Sequence, residues 1–282
     1  MKDISHLSKR VQNMYRVYWG KVWFRLGVLI AVIIGVIKRP QDLKVMEGWN
    51  FFHSFTPYHV LWLLWLWYML EKLFPLKNMK PKGCMKYMAS EYKQVDPAAV
   101  QNYEEQFRKQ NRFYSKGALI VAALWGVVGL ALFLLHRFKV INQAWLLVIT
   151  CLFYLGDVVC IMVWCPFRAI FMRNLCCTQC RIYNWDTIMM VVPLISVVGF
   201  FGYSLVVLSI VDVAIWEIMR LKYPERYYPI SNANLQCANC GGEIGCARLK
   251  RKPSTKKEKL SASAASQNVV RRNVRSAKQK AM

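Results

Sequence analysis

The chain has 282 residues, 56% of them hydrophobic and 14% aromatic, with 39 lysines and arginines against 15 acidic residues for a formal charge of +24. Long charge-free apolar runs beside such a charge excess exclude an ordinary soluble globule. The 11 tryptophans, 14 tyrosines and 14 phenylalanines exclude a wholly disordered basic chain, which has too few apolar anchors to bury surface.

Residues 1–21 read as a basic N-terminal segment. Val22 to Ile37 follows as an apolar run broken only by Arg25, whose place one turn from the start predicts snorkelling to the headgroups. The run ends in Lys38 and Arg39 with no small-residue cleavage site, so a cleaved signal is not expected. Thr56-Pro57 is an N-cap before a first-turn proline and predicts a second helix, rich in Trp62, Trp65 and Trp67. Residues 71–116 form a polar, basic loop in which Asp96-Pro97 signals a helix start. Glu104 and Glu105 precede Arg108 and Lys109 by four residues, the favourable order for helical ion pairs. Gly117 to Leu135 is a 19-residue apolar run with Ala122, Gly126 and Gly129 available for close helix contact. The stretch between Lys139 and Arg168 holds Asp157 as its one charge and is long enough to span.

The block between Asp186 and Arg220 is 33 residues long, about 50 Å as one helix and therefore more than one membrane thickness. Split at Gly199 to Ser204, it gives two helices of roughly 22 Å each. The positive-inside rule separates these readings. Six crossings put 33 basic residues on the cytoplasmic side and 5 outside, whereas five crossings put 18 inside and 20 outside, with no bias. The expected fold is therefore all-α, a polytopic membrane protein of about six transmembrane helices, with five as the alternative. The bundle occupies 22–219, a Cys-rich juxtamembrane segment 220–247, and a basic tail 248–282 whose composition predicts disorder. Both termini are expected in the cytoplasm. The tail suits anionic lipid headgroups or another polyanion as partner.

Ten cysteines on a cytoplasmic face are not a disulfide framework. Cys84 and Cys151 stand apart as ordinary buried thiols. Cys177-Thr178-Gln179-Cys180 and Cys237-Ala238-Asn239-Cys240 are two C-x-x-C knuckles, and a six-helix topology returns both to one face. Cys177, Cys180, Cys237 and Cys240 are the expected tetrathiolate set, with Cys165 and Cys246 in reserve and Cys176 turned away. Structural zinc is the leading cofactor and an iron–sulfur cluster the alternative. Asp157 and Asp212 are ionisable residues within apolar spans and are the candidates for a transport pathway. No Ser-His-Asp order, phosphate-cradling glycine loop or H-E-x-x-H motif points to an enzyme. The expectation is an interaction or assembly component, with a membrane electron carrier or a small transporter or channel as alternatives.

Overall fold

In the computed structural model, which describes residues 9–73, 92–174, 177, 180–236 and 239, the apolar runs are helices. They are α1 (Lys9–Lys38), α2 (Pro57–Leu73), α3 (Tyr103–Arg137), α4 (Gln143–Met162), α5 (Asp186–Val191) and α6 (Phe200–Lys222). Among the described residues there is no strand beyond two isolated bridges. Residues 12–38 of α1, the whole of α3 and the whole of α4 are long and apolar enough to cross a membrane. Only 11% of the most apolar stretch of α3 is buried. Trp23, Ile37, Leu119, Val127 and Leu221 all point outward, an apolar surface that suits lipid.

The local signals act as expected at some starts and not at others. α2 begins at Pro57, and the Thr56 N–H donates to His59 Nδ1 at 3.0 Å. Asn142 caps α4, its side chain accepting the Trp145 N–H at 3.2 Å. Asp96 accepts the Ala98 N–H at 3.0 Å, but Pro97–Ala99 closes only one 3-10 turn. The long helix starts later, at Tyr103, behind Asn102 in the left-handed region. α1 starts at Lys9, inside the segment read as a polar N-terminus, because its polar residues have ordinary helix propensity.

α5 corrects the expectation of two equal helices split at 199–204. It is α-helical only for Asp186–Val191, and Pro193 lies in a 3-10 continuation, Val192–Ser196. Together these reach about 20 Å, short of the hydrocarbon thickness. The chain then reverses at 197–199 and returns as α6.

Successive turns meet at two ends. At one, Gly48 N–H donates to Val198 O and Phe200 N–H to Gly48 O, at 2.8 and 2.9 Å, while Gln143 donates to the Glu47 carboxylate. At the other, Lys72 meets Asp186, Arg181 meets Glu217, and Ser231 O accepts the Val95 N–H. The larger core lies between, with Trp65 and Met69 of α2, Leu146 and Leu147 of α4 and Phe201 and Leu205 of α6 in it. A second cluster at the latter end joins Tyr114, Met172, Cys180, Trp216, Tyr228 and Leu235.

Candidate functional site

Arg25 does not snorkel. It is 6% exposed, and its Nη1 donates to the Asp157 carboxylate at 2.8 Å and to the Tyr154 carbonyl. The depth of α1 explains the difference: with the helix starting at Lys9, Arg25 sits in its middle, facing α4. The guanidinium also lies 4.0 Å from the Tyr154 ring centre, a cation–π contact. Asp157 in turn accepts the Tyr68 hydroxyl at 3.2 Å, and the same hydroxyl reaches Asp186, which pairs with Lys72. Arg25, Asp157, Tyr68, Asp186 and Lys72 thus form one polar chain across α1, α4, α2 and α5. One phenol proton serves two carboxylates and a cation stands at each end, so the chain is charge-neutral, although Asp186 Oδ1 is buried without a hydrogen bond among the described residues.

Beside that chain lies a cavity of about 260 Å³. Its wall carries four thiols, Cys160, Cys165, Cys177 and Cys180, and rings from Tyr18, Tyr68, Trp125, Phe153, Phe167 and Tyr183. The end of α4 supplies Cys160. The turn that follows, with Pro166 forcing the chain out of the helix axis, supplies Cys165 just before a π turn over Phe167–Phe171. Cys177 and Cys180 follow that turn and are buried. Cys160 and Cys165 are hydrogen-bonded to each other, and Cys165 Sγ also accepts the Arg168 N–H at 3.4 Å. The bond from Cys160, then the backbone N–H groups of Arg168 and Phe167 and the Arg168 charge, outweigh burial and hold the Cys165 thiol below the usual thiol range. Burial pushes the Cys180 thiol the other way. Four cations, Lys21, Arg25, Lys72 and Arg168, share the wall with two carboxylates, Asp157 and Asp186.

Of the residues expected at a metal site, Cys165, Cys177 and Cys180 are brought to this wall. Cys176, Cys237, Cys240 and Cys246 lie outside the described residues, and so does Cys84. Cys151 is buried in the larger core, away from the cavity wall. Among the described residues, no three His, Cys, Asp or Glu side chains are grouped to hold a metal ion. Asp157 faces the cavity through its ion pair, whereas Asp212, 3% exposed in α6, is not part of the wall.

Glu217 ties the last hairpin together. It accepts from Arg181 Nη2 at 2.7 Å, Trp185 Nε1 at 3.0 Å and Arg220 Nε at 3.0 Å. Trp216 Nε1 donates to the Arg181 carbonyl at 2.9 Å. The chain leaving Cys180 is therefore fastened to the end of α6, and Cys180 and Leu235 belong to one apolar cluster. Cys160, Arg25, Tyr68, Lys72 and Asp186 were not legible as site residues. The one signal was the lone charge of Arg25 in an apolar run. Comparison with known protein families, with curated proteins and with solved structures finds no match for this chain.

Proposed function

We propose that this is a multi-pass membrane protein with six crossings and both termini cytoplasmic, in which the cysteines at the cytoplasmic end of the bundle hold a thiophilic metal and the chain acts as an assembly or interaction component. The observation that carries the reading is the convergence of four thiols on one cavity wall at the end where the last hairpin is fastened. Thiolates suit zinc or iron in a reducing compartment. The alternation of turns between two ends supports six crossings, and the basic excess on the end that holds the cysteines supports its cytoplasmic placement. On the zinc version of this reading, Cys177 and Cys180 pair with Cys237 and Cys240. The packing of Cys180 with Leu235 supports that version by placing the described flanks of both knuckles together. The basic tail adds contact with anionic headgroups.

The experiment is elemental analysis of the full chain purified in detergent without chelator. Stoichiometric zinc or iron is the expected result, with loss on Cys177→Ser or Cys180→Ser and retention on Cys151→Ser. A chain that binds neither metal removes the metal centre from the function.

A further inference from the structure

Two of the four thiols on the cavity wall touch each other. Cys160 sits in the last turn of α4, and Cys165 lies just beyond it on backbone that is no longer helical. The Cys160 thiol donates to Cys165 Sγ, which also accepts the Arg168 N–H at 3.4 Å. Both residues line the cavity and are half-buried, whereas Cys177 and Cys180 are buried. Thiols in contact, one fixed in a helix and the other on a turn that can rotate, are placed to exchange a hydrogen bond for a disulfide.

The same wall carries two unsatisfied polar atoms of opposite kind. Trp125 Nε1 is a buried donor and Asp186 Oδ1 a buried acceptor, and neither has a hydrogen-bond partner among the described residues. Buried polar atoms are rarely left unpaired, so a ligand that both accepts and donates fits between them. The remaining lining is rich in aromatic rings. The Trp125 ring lies 5.0 Å from that of Phe153 and 6.0 Å from that of Phe167, centre to centre. Trp125 stands near the middle of the apolar run of α3 and Phe153 midway along α4. The cavity therefore extends from the thiols at the helix end to bilayer depth on the proposed topology. A flat, membrane-soluble ring with polar oxygens matches such a wall. A quinone supplies carbonyls that accept, and its reduced form supplies hydroxyls that donate.

We propose that Cys160 and Cys165 are a redox-active dithiol that reduces a membrane quinone bound in this cavity, with Trp125 holding one quinone oxygen. The inference goes beyond the metal reading and uses the thiol pair that the zinc version leaves out. Cys165 attacks a ring carbon as thiolate, forming an S–C bond and moving an electron pair onto a carbonyl oxygen, which takes the proton that left Cys165. Cys160 then attacks the Cys165 sulfur. The S–S bond forms, the S–C bond breaks with its electron pair returning to the ring, and the Cys160 proton goes to the second oxygen. The dithiol loses two electrons and two protons, and the quinone gains both as hydroquinone.

The test uses the full chain in detergent, reduced, freed of excess reductant and mixed anaerobically with a short-tailed benzoquinone. The expected result is two thiols lost per hydroquinone formed, at a rate that saturates with quinone, and a Cys160–Cys165 disulfide in the tryptic peptide. Cys151→Ser behaves alike. Cys165→Ser loses the reaction, and Cys160→Ser stops at a quinone adduct on Cys165, with helix content matched to the parent chain in both. Trp125→Phe keeps the ring and loses the N–H, so the half-saturating quinone concentration rises about tenfold, while disulfide formation with diamide is unchanged. Cys160 and Cys165 remaining thiols in the presence of quinone overturns the proposal, and so does a rate that never saturates. Faster oxidation by glutathione disulfide than by quinone overturns the substrate class, and an unshifted Trp125→Phe removes the role given to that residue. Metal content is read on the same preparations. A metal-free chain that still forms the disulfide supports this proposal and removes only the metal centre.

Discussion

A guanidinium in the middle of an apolar helix can keep its charge in two ways: it reaches the headgroups or it finds a carboxylate. Arg25 finds Asp157, with Tyr68 and the Asp186–Lys72 pair extending the contact. Removing one partner leaves the other charge buried and alone, so Asp157→Asn should destabilise the protein by about 3–5 kcal/mol. The double variant Arg25→Met, Asp157→Leu should recover much of that loss, because apolar groups of similar volume replace the pair. Thermal unfolding in detergent reads both, and equal destabilisation by the single and double variants would sink the pairing argument. Tyr68→Phe removes one neutral donor and should cost only about 1 kcal/mol. Both charges were legible in the sequence as ionisable groups in apolar runs. Their partnership across 132 positions was not, because it depends on the register between α1 and α4, which neither helix's spacing encodes.

The reversal between α5 and α6 works because two loops touch through glycine. A Cβ on Gly199 would lie 2.1 Å from the Met46 carbonyl oxygen and 2.8 Å from the Gly48 nitrogen. Gly48 itself holds φ +53, which a side chain strains. Gly199→Ala should therefore destabilise by at least the ~1–3 kcal/mol of an overpacked core, and trypsin should cut the loops it loosens faster. Gly126→Ala should not destabilise, since no neighbouring element lies within 4 Å of the Cβ it adds and alanine favours the helix. The sequence drew attention to Gly126 and Gly129 by their spacing. The structure uses Gly129, against Val192, and Gly117, against the Phe171 carbonyl. Small residues at helical spacing mark where close approach is possible, and only the neighbouring element decides where it happens. The same limit applies at Asp96-Pro97, where the cap is made but too few helix-favouring contacts follow to extend the turn.

For the whole molecule, composition was the most readable layer. The three helices long and apolar enough to cross a membrane fall where the apolar runs predict. The break near 197–199 was harder to place, because Pro193 and a string of glycines and aromatics offer several equivalent stopping points. On the proposed topology, reporters fused to either terminus should both report cytoplasm. An exoplasmic C-terminus would separate the two C-x-x-C knuckles. Deleting residues 250–282 should leave thermal unfolding unchanged while weakening binding to anionic liposomes, more at low salt than at high salt. Unaltered binding at low salt would end the electrostatic role of the tail.

The polar chain through Arg25 also bears on the order in which the protein is made. Asp157 is synthesised 132 residues after Arg25, which at ribosomal speed is roughly 7–26 s later. On the proposed topology α1 sits in or near the bilayer during that interval with a charge that costs about 2.5–3.5 kcal/mol to insert, and the carboxylate that pairs with it in the finished fold is not yet made. The first helix is thus a guest of the membrane until the fourth arrives. Arg25→Leu should then have opposite effects on two chains. A nascent chain stopped at residue 142 should be held in the bilayer more firmly and degraded more slowly, as read by protease protection and pulse-chase. The finished protein should become less stable, because Asp157 then waits for a partner that never comes.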